Sequence, residues 1–282
     1  MRPITRGAAV IALTGACAAG PVIAQEMPLP PRSGSGLTVT PAYEGWYELP
    51  DGTIAMSFGY FNRNMEEVIE VPLGDANAIS EPGLDGDQPE HFAPGRHFGV
   101  FAIRVPSDFD PEQRVYWTLT VRGETQRVPG HLHPDWKIDA IVGEAGSGNK
   151  PPTVWFDEGG PEAMGPAGVV GKTRTASADE PLELTVHARD DGRSRTSVRG
   201  SGDTAVPVTV TWFKHRGPGD VWFGEPTAEI PAAGGSATTT VMFGAPGEYV
   251  LRVRANDASG VSTAGHAQCC WTNGFVKVTV TP

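Results

Sequence analysis

Hydrophobic and polar positions alternate with a period of two in short runs along most of this chain. The clearest run follows Pro246-Gly247. There Tyr249, Leu251 and Val253 alternate with Val250, Arg252 and Arg254. Such spacing puts successive side chains on opposite faces of an extended strand, one face toward a core. Comparable runs predict strands at residues 182–188, 206–214, 237–243 and 275–280 in the second half.

The first half opens on a predicted hairpin. Residues 43–49 lead into the turn Pro50-Asp51-Gly52, and residues 53–61 return. Further strands are expected at 68–71, 98–105, 115–121 and 125–128, with Gly123 as the turn before the last. A long irregular segment, 74–97, carries Asp75, Glu81, Asp85, Asp87 and Glu90 among Pro and Gly. Loops of that length in compact domains are often functional, although a packed surface loop explains the same composition.

Helical periodicity is nearly absent, while Gly (36) and Pro (26) are abundant. The fold class expected is therefore all-β, with two tandem β-sandwich-like domains. The boundaries expected are a signal peptide at 1–24, a flexible leader at 25–36, an N-terminal β domain at 37–148, a linker at 149–152 and a second sandwich at 153–282. Pro28, Pro30, Pro31 and a Ser-Gly repeat mark the leader; Gly146 to Pro152 is rich in turn residues.

Residues 1–24 read as a secretory signal. Arg2 and Arg6 precede an apolar stretch, and Val22-Ile23-Ala24 offers a small-residue cleavage point before Gln25. The expected location is secreted or periplasmic, with no membrane span, because Gly15, Gly20 and Pro21 interrupt a run already short for one. Leu13 to Cys17 loosely resembles a lipobox, and Cys17 lipidation is the competing reading. Cleavage after Ala24 leaves 20 basic against 33 acidic residues, a net of −13. That charge argues against a nucleic-acid partner and against anionic lipid.

Trp212, the Tyr249 strand entry, Pro151-Pro152 and the Ala-x-Asp strand ends (Ala188 to Asp190, Ala255 to Asp257) resemble bacterial immunoglobulin-like, polycystic-kidney-disease-type and cadherin-like modules. Tyr249, two residues before Leu251, stands where such folds place a tyrosine corner. The resemblance implies a superfold and no activity. Cadherin-like modules hold calcium, and Asp190, Asp191 and Asp257 are the matching acids, without the fuller motif. In the first half, residues 43–52 (YEGWYELPDG), 58–64 (FGYFNRN) and 87–92 (DQPEHF) resemble an uncharacterised family of secreted bacterial proteins.

Candidate chemistry falls into three classes. A non-catalytic binding or structural module would meet a protein or polysaccharide partner. Its working surface is expected at the loop 260–274 with His266 and Trp271, beside Arg193, Arg195 and Arg199 of the loop 190–205. The alternative for Trp271 is packing against the sandwich edge. An extracellular hydrolase acting on glycan or peptide would centre on Asp85, Asp87, Glu90 and His91, although no nucleophile elbow, zinc-protease helix or phosphate loop is present. A periplasmic metal-binding protein would use His91, His97, His131 and His133. His131 and His133 share one face if extended, and copper or zinc suits such a set. No cofactor is required by any motif. Cys269-Cys270, the remaining Cys after Cys17, are expected to pair with each other. Two buried thiols, a bond to another chain or a soft-metal ligand pair are the alternatives.

Overall fold

The computed structural model describes residues 33–138, 149–192, 206–257 and 270–282. The expected hairpin is present as β1 (Val39–Glu48) and β2 (Ile54–Asn62). Asp51 holds the turn by accepting from the Thr53 amide and hydroxyl, and Gly52 takes a positive φ of 83°. β2 pairs in turn with β6 (Gly95–Val105), giving the sheet β1-β2-β6.

A second sheet is built from β4 (Asn77–Ile79), β7 (Val115–Val121) and β8 (Glu124–Gly130). A two-stranded ribbon pairs β3 (Ile69–Glu70) with β5 (His91–Phe92). Phe58, Phe92, Phe101 and Trp117 fill the core between these elements. The segment 74–97 is thus not one irregular loop. It contains β4, a 3-10 turn at Pro82–Leu84, β5 and the start of β6. The end of the expected leader is also tied down. Ser33 and Gly34 carbonyls accept from the amides of Met65, Glu66 and Glu67.

The second sandwich begins with β9 (Thr153–Trp155), β10 (Val169–Val170) and β11 (Arg174–Ser177). β12 (Leu182–Arg189), β13 (Val208–Arg216), β14 (Val221–Phe223) and β15 (Thr227–Ile230) follow. β16 (Gly235–Phe243), β17 (Gly247–Asn256) and β18 (Trp271–Thr281) complete it. One sheet runs β14-β16-β12-β9 and the other β10-β18-β17-β13-β15, with β11 parallel to β18. The first order is the A-B-E-D sheet of an immunoglobulin-like sandwich, and β13-β17-β18 is its C-F-G sheet. One detail departs from that scheme: after β13 the chain crosses to pair β14 with β16 before β15 returns to β13.

Trp212, Leu251 and Val253 lie in this second core. Tyr249 is buried there, and its hydroxyl donates to the Ala245 carbonyl (2.7 Å) while accepting from the Gly219 amide (3.0 Å). This is the tyrosine-corner geometry expected from its position.

Residues Ser33–Pro282 form one compact unit. A third, smaller apolar cluster draws Tyr47, Ala55, Ala102 and Ile138 from the first sandwich and Cys270 from the second. The segment 149–152 is packed: Asn149 and both prolines are buried, and Asn149 Nδ2 donates to Asp257 Oδ2 (2.7 Å).

Candidate ligand cleft between the two sandwiches

The alternation in β17 decides what faces the first sandwich. Tyr249, Leu251, Val253 and Ala255 point into the second core. Arg252 lies on the opposite face, paired across the sheet with Phe213 of β13 and Phe275 of β18. In an isolated sandwich that face would meet water. Here the first sandwich covers it.

The cover is held by polar contacts. Asn273 Nδ2 donates to the carbonyls of Gly99 (2.6 Å) and Pro166 (2.8 Å), and its Oδ1 accepts from Arg252 Nη1 (3.1 Å). The Glu90 amide donates to the His215 carbonyl (3.0 Å), and His215 Nε2 meets the Asp87 carbonyl (3.0 Å). Arg216 donates to the Gly86 carbonyl. Lys214 Nζ donates to Glu70 Oε1 (2.9 Å), which also meets His91 Nδ1 (2.7 Å). Residues 86–91, part of the acidic segment, are therefore docking elements.

Glu44 anchors the same junction from below. It is the extra residue of a β-bulge between Tyr43 and Gly45, and bulges re-aim side chains. Its carboxylate turns inward, accepting from Arg96 Nη2 (2.5 Å) and the Gly99 amide (2.5 Å). Gly59 leaves the room, since a Cβ there would stand 2.3 Å from Glu44 Oε1. Burial pushes the Glu44 carboxyl up to about 7 despite Arg96.

Two neighbouring cavities open along the junction. The inner one, about 310 Å³, is lined by Tyr60, His91, Phe213, Lys214, Trp222 and Arg252, among others. The outer trough, about 660 Å³, shares Lys214, Asp220 and Trp222 with it and adds Glu70, Glu90 and Glu248. Trp222, on the edge strand β14, is 56% exposed at the rim shared by both. Arg252 is 3% exposed and sits over the Phe213 ring at 4.4 Å. Burial, then the Arg254 charge, pushes its guanidinium down to about 9.

The sequence-predicted site residues go elsewhere. Trp271 is not a surface anchor: it is 1% exposed, opens β18 opposite Asn256, and donates from Nε1 to the Gly99 carbonyl (3.4 Å). The physical reason is that β18 starts four residues before the expected Phe275, which draws the indole into the junction. Arg193, Arg195, Arg199, His266 and Cys269 lie outside the described residues. Cys270 is disulfide-bonded and buried.

The four candidate metal-ligating histidines have separate tasks. His91 pairs with Glu70, as above. His97 stacks on Tyr60 (4.8 Å between centroids), and burial pushes it down to about 4. His131 packs on Tyr43 (4.8 Å) and lies 6.3 Å from the His133 ring. His133 Nδ1 accepts from the Asp135 amide (3.3 Å) and caps the 3-10 turn Pro134–Trp136. Among the described residues, no group of three or more His, Cys, Asp or Glu side chains assembles to hold a metal ion. Asp191 and Asp257 do lie within electrostatic reach of Asp190. Burial, then these neighbours, pushes Asp190 up to about 6.

The hydrolase candidates are likewise occupied. Asp85 Oδ1 accepts from the Ile79 amide (2.9 Å) and Gln88 Nε2 (2.5 Å), and Glu90 Oε1 accepts from the Leu73 amide (2.9 Å). These carboxylates fix loop backbone. Arg252 and Trp222 were the residues that sequence reasoning passed over, although the alternation of β17 already set Arg252 apart from the core.

Among the described residues no helix is long and apolar enough to cross a membrane. No protein-family model and no curated protein sequence matches the chain. Among solved structures, the D00-D0 domain of intimin is similar over 87% of this chain and 100% of its own, at 11% identity and a TM-score of 0.29. WR4, an MSP family member of C. elegans, covers 39% of this chain and 92% of its own, at 12% identity and a TM-score of 0.24. The E. coli chaperone DraB covers 39% and 51%, at 9% identity and a TM-score of 0.25. Likenesses this distant add nothing to the strand order given above.

Proposed function

We propose that this chain is an exported, non-catalytic binding module whose ligand enters the cleft between its two sandwiches beside Trp222. The observation that carries this reading is Trp222 itself. A large aromatic ring stands exposed on an edge strand at the mouth of a cavity, where apolar surface and a few converging polar groups meet. Phe213 and Phe223 continue the apolar lining inward, and Lys214, His91 and Arg252 supply the polar groups. Export rests on the charge and apolar pattern of residues 1–24. The partner class is a protein or polysaccharide presenting one group small enough for the inner cavity.

Glycan and peptide arrays probed with the purified chain test the reading. Trp222→Ala, at an exposed edge, should leave the fold intact and reduce binding of any array ligand at least about tenfold, the equivalent of 1.4 kcal/mol. Unchanged binding by the variant would remove the cleft from consideration.

A further inference from the structure

We propose that the inner cavity binds one compact anionic group, a carboxylate or a tetrahedral oxoanion, through the guanidinium of Arg252. The inference deepens the cleft-binding reading and rests on it for the route of entry.

Arg252 is a buried cation without a counter-charge. Its contacts are Asn273 Oδ1 and the Phe213 ring, and among the described residues no carboxylate lies within ion-pair distance of it. A guanidinium carries five N–H donors in a planar fork, so one neutral acceptor leaves most of that capacity unused. The fork lines the inner cavity.

The groups around it make the imbalance larger. Arg254 sits over the same Phe213 ring, at 5.3 Å. Burial depresses His97 to about 4 and His215 well below its usual range, so both imidazoles are neutral at pH 7. Burial pushes the Tyr60 phenol up, so it too is neutral. The charged neighbour that acts on Arg252 is thus the cationic Arg254, while Asp220, the one carboxylate lining the inner cavity, makes no ion pair with it. Lys214 at the cavity wall is already matched by Glu70. An uncompensated buried charge costs several kcal/mol, and a bound anion would remove that cost while accepting a two-pronged hydrogen bond.

The outer trough restricts what kind of anion arrives. Glu70, Glu90, Asp220 and Glu248 line it against one lysine. A string of negative charges laid along that trough would be repelled. A single anionic terminus, with a neutral or cationic remainder, matches both the inner arginine and the acidic rim. The cavity volume of about 310 Å³ suits a group of that size.

The test uses the full chain with sodium phosphate and sodium acetate as probes, against sodium chloride at matched ionic strength. Phosphate, acetate or both should raise the melting midpoint by roughly 5–10 °C at about a hundred times the Kd. The shift should vanish in Arg252→Gln, which keeps a donor for Asn273, and in Arg252→Met. Titration calorimetry on the unmodified chain gives the same answer without any variant. A response to phosphate only identifies a tetrahedral oxoanion, and one to acetate only a carboxylate. A midpoint that moves no further in either than in chloride, or a shift retained in Arg252→Gln, would overturn the proposal. An array ligand lost in Trp222→Ala but kept in Arg252→Gln would preserve the cleft reading and remove the anion. An anion shift that persists while Trp222→Ala leaves array binding unchanged would do the reverse.

Discussion

Gly99 and Trp271 occupy each other's space across the two sandwiches. A Cβ added at Gly99, where φ is +48°, would stand 2.3 Å from Trp271 Cζ2. No side chain fits at position 99 unless the indole moves. Gly99→Ala combines a left-handed backbone with overpacking, and should cost about 2–4 kcal/mol in urea denaturation. A loss under about 0.5 kcal/mol would show that the indole shifts freely.

Trp271→Ala is the complementary experiment. Emptying a fully buried indole position should cost about 3–5 kcal/mol. A surface residue would cost almost nothing, so an unchanged midpoint would restore the exposed placement.

Tyr249→Phe removes the hydroxyl that joins the Ala245 carbonyl to the Gly219 amide. Both partners are then left without that bond beside the core, and the expected cost is about 1–3 kcal/mol. Equal stability of the two proteins would remove the tyrosine corner from the stability of the fold.

Glu44 and His97 give opposing pH dependences. Folded Glu44 holds its proton up to about 7, against 4.5 for an ordinary glutamate. Stability from this group is complete below 4.5 and is lost as pH rises toward 7. His97 is depressed from 6.5 to about 4, so its contribution is complete above 6.5 and is lost as pH falls toward 4. Glu44→Gln should abolish the first slope and leave the second. The difference between the two proteins should change by on the order of 3 kcal/mol between these limits. Parallel stability–pH curves would contradict the raised Glu44 carboxyl.

Cys270 should resist alkylation until the protein is reduced, because it is disulfide-bonded. Peptide mapping should find it joined to Cys269 within one peptide. Labelling of Cys270 before reduction, or a band of twice the mass without reductant, would exclude that pairing.

Much of this architecture was legible wherever a strand was long enough to show its period. Residues 115–121 coincide with β7 end to end, and Tyr249 behaves as its place before Leu251 implied. β9, β10 and β14 are two or three residues long, and no alternation is expressed over so few positions. The cleft was hidden for a different reason. In β17, an arginine every second residue reads as a solvated face, because the cover arrives from a sandwich more than a hundred residues away in sequence. Likewise Asp85 and Glu90 read as candidates for catalysis from their acidity alone, whereas each accepts from a backbone amide. Local pattern reports which side of a strand is apolar; it does not report what lies over the other side.

The parallel pairing of β11 with β18 has a mechanical consequence. Arg174, Thr175, Ala176 and Ser177 lie opposite Val278, Thr279, Val280 and Thr281, running in the same direction. Tension applied from the two ends of the second sandwich pulls these strands past each other lengthwise. The rungs then bear load together instead of opening one after another like a zip. That arrangement makes the β11–β18 pair a force-resistant clasp along one edge of the second sandwich.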